Sequence, residues 1–160
     1  MKITKGQLRS LIREAIAQHY VPGLPMAQLP KTKGIGYTAL VLDRSSQQLL
    51  LPYVPPDWKP IAHHMTMITP RTQKQGRIPA RWLGQNICVQ AVGIIQDERV
   101  MAAVIDTSST NILMRGPVFP HVTIAVNTEM GGKPYMSNEL SLDNITQIEP
   151  LTLCGLITEL

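Results

Sequence analysis

The chain has 160 residues, 44% hydrophobic and 16% charged, which suits a single folded domain with its own core and excludes a disordered or extensively solvated helical chain. The formal net charge of +4, with a pI near 9.3, favours an anionic partner, but does not separate a nucleic-acid binder from a merely basic protein. Met1 to Gln18 mixes Lys, Arg, Gln and Glu among its apolar residues. That is unlike a secretory start, and no run approaches the roughly eighteen apolar residues of a membrane span, so the expected location is the cytoplasm.

In chain order, Thr4 to Gln18 places Leu8, Leu11, Ile12, Ala15 and Ile16 at helical spacing behind a Thr4-x-x-Gln7 capping box, which predicts an amphipathic helix. Its basic residues Lys2, Lys5, Arg9 and Arg13 suit either packing on the domain or a membrane surface, the former being preferred. His19 reads as its terminal residue. Pro22, Pro25 and Pro30 make 21–36 an extended linker, so residues 1–36 stand apart from a domain over 37–160.

Tyr37 to Leu42 predicts a buried strand, and Asp43 an N-cap for a short helix from Arg44 to about Leu51. Four prolines between Pro52 and Pro60 separate this unit from a strand over Ala62 to Ile68. Asn86 to Ile95 and Arg99 to Asp106 alternate as two strands about the polar turn Gln96-Asp97-Glu98, a hairpin. Residues 107–117 read as an irregular connection, His121 to Asn127 as a strand, Ser137 to Leu140 as a short helix, and Leu151 to Thr158 as the last strand. The fold class is α+β on mainly antiparallel strands. Cys88 and Cys154 sit in apolar runs without a CxxC, and the expectation is two buried free thiols.

Two short stretches carry the chemistry. In His64-Met65-Thr66-Met67 and His121-Val122-Thr123-Ile124, strand alternation puts each His on one face with the Thr two residues on, backed by an apolar pair. A lone His-x-Thr means little, because Thr is a common strand former. With four histidines and thirteen threonines in the chain, two such pairs with apolar residues interleaved would arise by chance in roughly one sequence in a hundred. Two imidazoles can take one proton and give another as a P–O bond breaks, while the Thr66 and Thr123 hydroxyls donate to non-bridging oxygens. The residues do not say which His is base, nor whether water or a ribose 2′-hydroxyl attacks. Neither motif has Cys, Asp or Glu at ligand spacing, so no metal and no cofactor is expected. Alternation points His63 to the opposite face, as a structural residue.

His64-Met-Thr66-Met and Phe119-Pro-His121-Val-Thr123-Ile resemble the two signatures of the 2H phosphoesterase superfamily. The resemblance covers 37–160 in layout but is specific only over the two motifs; the N-terminal helix and linker are not part of the family pattern. It implies a bilobal fold with a central cleft holding both motifs, and a metal-independent phosphodiesterase with His64 and His121 as acid and base and Thr66 and Thr123 as phosphate ligands. Substrates implied are 2′,3′-cyclic phosphates, 2′-5′ linkages and related nucleotide phosphodiesters. Similarity to phage enzymes that degrade cyclic-oligonucleotide signals of CBASS immunity leans the expectation toward a cyclic di- or trinucleotide. RNA end processing is the alternative, and a module that sequesters a nucleotide uncut is a third. A structural or virion-associated role, docking through residues 1 to 20, is also open.

For the rest of a substrate, Arg71, Lys74, Arg77 and Arg81 lie in an acid-free stretch that either collects phosphates or forms a solvated basic loop. Phe119, Trp58, Tyr53 and Trp82 are either stacking surfaces for a base or core, with Phe119 best placed. Tyr37 could set its hydroxyl in the cleft. Asn127, Ser137 and Asn138 read as turn formers or pocket liners, the former being stronger.

Overall fold

A computed structural model describes residues 37–68, 80–110 and 117–160. The expected N-terminal helix, its linker, His19, Arg71, Lys74 and Arg77 lie outside the described residues.

The apolar run Thr38–Leu42 forms β1, and the Asp43 side chain accepts from the Ser46 N–H at 2.8 Å to cap α1, Arg44–Leu50. The helix is fastened to the strands by polar bonds from its buried face. Gln47 donates to the Leu42 carbonyl, the Ser46 hydroxyl accepts from Cys154 N–H, and Leu50 enters the core. Next come β2 (Lys59–Pro60), β3 (His64–Ile68), β4 (Asn86–Gln96), β5 (Val100–Asp106), β6 (His121–Val126) and β7 (Thr146–Glu159). Asp97 turns the β4–β5 hairpin, its carboxylate accepting from the Arg99 and Val100 N–H groups. The last strand begins earlier than expected because Pro150 falls where the β4–β7 register shifts, so a proline without a ladder donor is tolerated.

All strand pairings among the described residues are antiparallel. The order β2-β6-β3-β1-β7-β4-β5 is closed by a β5–β6 ladder, giving a six-stranded barrel with β2 as an extension of β6. Fold class α+β with mainly antiparallel strands is therefore what the chain adopts. Alternate residues, among them Leu40, Leu42, Met65, Met67, Val122, Ile124, Leu153 and Ile157, pack as one buried cluster and fill the narrow barrel. The other face of β4 and β5 carries a second cluster, Ile95, Ala102 and Val104 with Phe119, overlaid by Leu140 and Ile145. Gly155 lies where β7 meets β1, and a side-chain carbon there would collide with the Val41 and Leu42 backbone.

The reading of the two cysteines needs correction. Cys88 and Cys154 are not buried free thiols: the β4–β7 register sets them directly opposite, 4.0 Å apart at Cα, and they form a disulfide on the exposed side of the ladder. Sequence alone hides this because the two lie 66 residues apart and meet only through register. Trp58 and Tyr53 are half-buried and pack against the barrel core, the latter of the two readings their sequence positions left open. Trp82 packs there too.

Candidate functional site

β3 and β6 are neighbours in the closed sheet, joined through the pair Met65–Val122. With those two residues in the core, His64, Thr66, His121 and Thr123 are left on the outer face of the barrel, side by side on two strands. The flanking strands present small apolar residues to them. Val41 and Ala39 of β1 stand opposite His64 and Thr66, and Val104 and Ala102 of β5 stand opposite His121 and Thr123. A polar stripe thus runs between two low apolar margins.

The backbone before β3 is irregular, and this sets the position of His64. Ala62 N–H still reaches the Thr123 carbonyl, while Met65 already pairs with Val122, so His63 and His64 are extra residues in a bulge. Ala62 sits there at φ 37°, in the left-handed region where side chains are rare. The bulge breaks alternation. His63 consequently does not point away: its Nδ1 lies 3.0 Å from His64 Nδ1, one donating and the other accepting. The two rings meet edge to face, and Tyr37 tilts against His64 from the other side with ring centres 5.3 Å apart. Tyr37 is therefore a wall of the site, and burial pushes its phenol pKa up. His64 keeps Nε2 clear of the His63 contact.

His121 is only 6% exposed and is held from both ends. Its Nδ1 is 2.9 Å from the Phe119 carbonyl, which can only accept, so Nδ1 carries a proton; its Nε2 is 2.9 Å from the Ser137 hydroxyl. Ser137 Oγ also lies 2.8 Å from Thr123 Oγ1 and 2.7 Å from the Pro134 carbonyl, with one proton to give either to that carbonyl or to His121 Nε2. Ser137 arrives on a 3-10 turn, Pro134–Glu139, laid over β5 and β6, and is 1% exposed. A short helix was expected over Ser137 to Leu140; the turn instead starts at Pro134, its first position, and ends at Glu139.

Burial, with the His63 and His121 rings alongside, lowers the His64 pKa to about 3. Burial also lowers those of His63 and His121, though for His121 the bond to the Phe119 carbonyl pulls the other way. The site is thus a set of neutral imidazoles and hydroxyls, with His121 the more readily protonated of the motif pair.

The remaining candidates separate cleanly. Phe119 is 5% exposed, packed with Ile95, Ala102 and Val104 and tilted against His121 with ring centres 4.9 Å apart, so it supports His121 and offers no open face to a base. Arg81 is exposed, with its carbonyl accepting from Gln85. Asn127 and Asn138 bond to nearby backbone as turn formers. Ser137 belongs to the site, and His63 joins it against expectation. A His-His pair before an apolar run was the one visible hint of the latter; nothing in the sequence around Ser137 announces its bond to His121. Among the described residues no group of three His, Cys, Asp or Glu is arranged to hold a metal ion. No family model, curated protein or solved structure matches the chain.

Proposed function

We propose that the chain is a metal-independent phosphodiesterase of 2H type acting on a nucleotide phosphodiester, foremost a cyclic di- or trinucleotide immune signal cut in the service of viral immune evasion in the host cytoplasm. The observation that carries this is the assembly of both His-x-Thr motifs on one outer face of adjacent strands, close enough for His121 to weigh on the proton affinity of His64.

In this proposal His64, neutral near pH 7, takes the proton from the attacking oxygen, and His121 gives one to the leaving oxygen. Burial lowers the His121 pKa and its bond to the Phe119 carbonyl pulls the other way; an arriving phosphate anion favours the cation and so fits His121 to the acid role. One P–O bond forms as another breaks, and Thr66 and Thr123 donate hydrogen bonds to the non-bridging oxygens. The 2H-like view of the fold, two halves about a central cleft, belongs to the same proposal. It is supported by the antiparallel pairs β1–β3 and β5–β6 meeting at Met65–Val122. No helix among the described residues is long and apolar enough to cross a membrane.

One observation favours a second reading, a module that binds a nucleotide without cutting it: both ring nitrogens of His121 already have protein partners. A chromatographic screen separates the two. Cyclic dinucleotides and trinucleotides, 2′,3′-cyclic nucleotides and 2′-5′ oligomers are incubated with the protein, with and without EDTA. Products that survive EDTA support the hydrolase; opening of 2′,3′-cyclic ends alone points to RNA end processing; ligands bound but recovered unaltered favour the binding module.

A further inference from the structure

We propose that the Pro134–Glu139 turn is a displaceable plug, in which the Ser137 hydroxyl occupies the place of a phosphate oxygen, so that an anion enters the site only as the turn moves away. This rests on the function proposed above, in which His121 and Thr123 both donate to oxygens of one bound phosphate. The geometry carries it. A phosphoryl oxygen held by the second motif would lie within hydrogen-bond distance of both His121 Nε2 and the Thr123 hydroxyl. Ser137 Oγ is an oxygen 2.9 Å from the first and 2.8 Å from the second, and it is 1% exposed. Ligand and serine cannot both be there.

Proton counting shows why the plug is stable yet releasable. While His121 is neutral, Nε2 needs a donor and Ser137 supplies it, leaving Thr123 to donate to Ser137 or, at 3.3 Å, to the Pro134 carbonyl. Once His121 is protonated, Nε2–H donates to Ser137, whose own proton turns to Pro134 O at 2.7 Å. Both states are satisfied, so the hydroxyl mimics the ligand oxygen in either.

The segment's attachments are uneven. Before it, Gly131 takes φ 71°, and Gly132 fits against the Arg99 and Asn127 carbonyls where no side chain has room. After it, Leu140 packs on the outer apolar cluster. Between these anchors the side-chain ties to the barrel, among the described residues, are Ser137 with Thr123 and His121, and an Arg99–Glu139 ion pair at 3.9 Å between a half-buried arginine and an exposed glutamate. So long a pair, open to solvent at the glutamate, contributes little. The short turn can swing between fixed ends without disturbing the strands.

The test uses inorganic phosphate with the full chain. Its affinity is measured by calorimetry for wild type, Ser137→Ala, Glu139→Gln and His121→Ala, and amide hydrogen exchange over 134–139 is followed with and without saturating phosphate. The plug predicts about fivefold tighter binding to Ser137→Ala, the factor for one net hydrogen bond. It predicts a smaller gain for Glu139→Gln, a surface change that spares the fold, and faster exchange of the turn when phosphate binds. Unchanged or slower exchange on binding, or no gain in either variant, overturns it. If His121→Ala alone loses phosphate while those signs of opening are missing, the phosphate site stands and the plug falls. If all four proteins bind phosphate equally, or none binds it, the plug and the phosphate site fall together.

Discussion

Acidification should destabilise this protein through His64, and the amount follows from its surroundings. In the unfolded chain the ring binds a proton near 6.5; in the folded chain burial and the neighbouring imidazoles lower that to about 3. A folded value below the unfolded one means that the unfolded state binds the proton first, so stability is full above the unfolded value and declines as pH falls toward the folded one. Integrated from pH 7 to pH 5, His64 alone removes about 2 kcal/mol. The figure barely depends on the folded value as long as that lies below about 4. His63 and His121, also lowered, add in the same direction. Urea unfolding followed by circular dichroism at the two pH values, for wild type and His64→Leu, isolates the contribution. Wild type should lose about 2 kcal/mol more than the variant between pH 7 and pH 5, with unchanged denaturant slope. Equal losses would refute the account of a desolvated, neutral His64.

Three further outcomes follow. Replacing Cys88 and Cys154 by Ser, which opens a loop spanning 66 residues, should lower stability by about 4 kcal/mol in the chain-entropy picture and leave any turnover by the folded fraction intact, as read by thermal unfolding beside an activity assay. Gly155→Ala forces a methyl into the Val41 and Leu42 backbone. It should cost about 1–3 kcal/mol, whereas Gly84→Ala, in open space but at φ 79°, should cost only about 1 kcal/mol of backbone strain. His63→Ala removes the Nδ1 contact that fixes the His64 ring; turnover should fall about tenfold with KM nearly unchanged, and His63→Asn should restore part of it.

What was legible in the sequence is local or periodic. The Asp43 cap, the Asp97 turn and the alternation of β3 and β6 depend on residues a few positions apart, and they appear where short-range chemistry puts them. The paired motifs were readable because both patterns lie within single strands. What was hidden depends on register and packing. The disulfide needs β4 and β7 aligned; the fate of Phe119 and Trp58 depends on which surfaces the barrel leaves uncovered. His63 was misjudged because strict alternation was assumed through a bulge, and that bulge exists only because β3 must reach Val122 two residues late. Ser137 comes to His121 from sixteen residues away on a turn with no periodic signature.

Central to the account is that His64 and His121 act on one phosphodiester as a pair, and a double-mutant cycle measures that directly. Turnover of the substrate found in the nucleotide screen is compared for wild type, His64→Ala, His121→Ala and the double variant, each checked for folding by circular dichroism. Each single change should cost at least about a hundredfold, and the double little more than the worse single, because residues acting as a unit are not additive. Singles that retain wild-type turnover, or losses that simply multiply in the double variant, would contradict a shared acid–base site on the β3–β6 face.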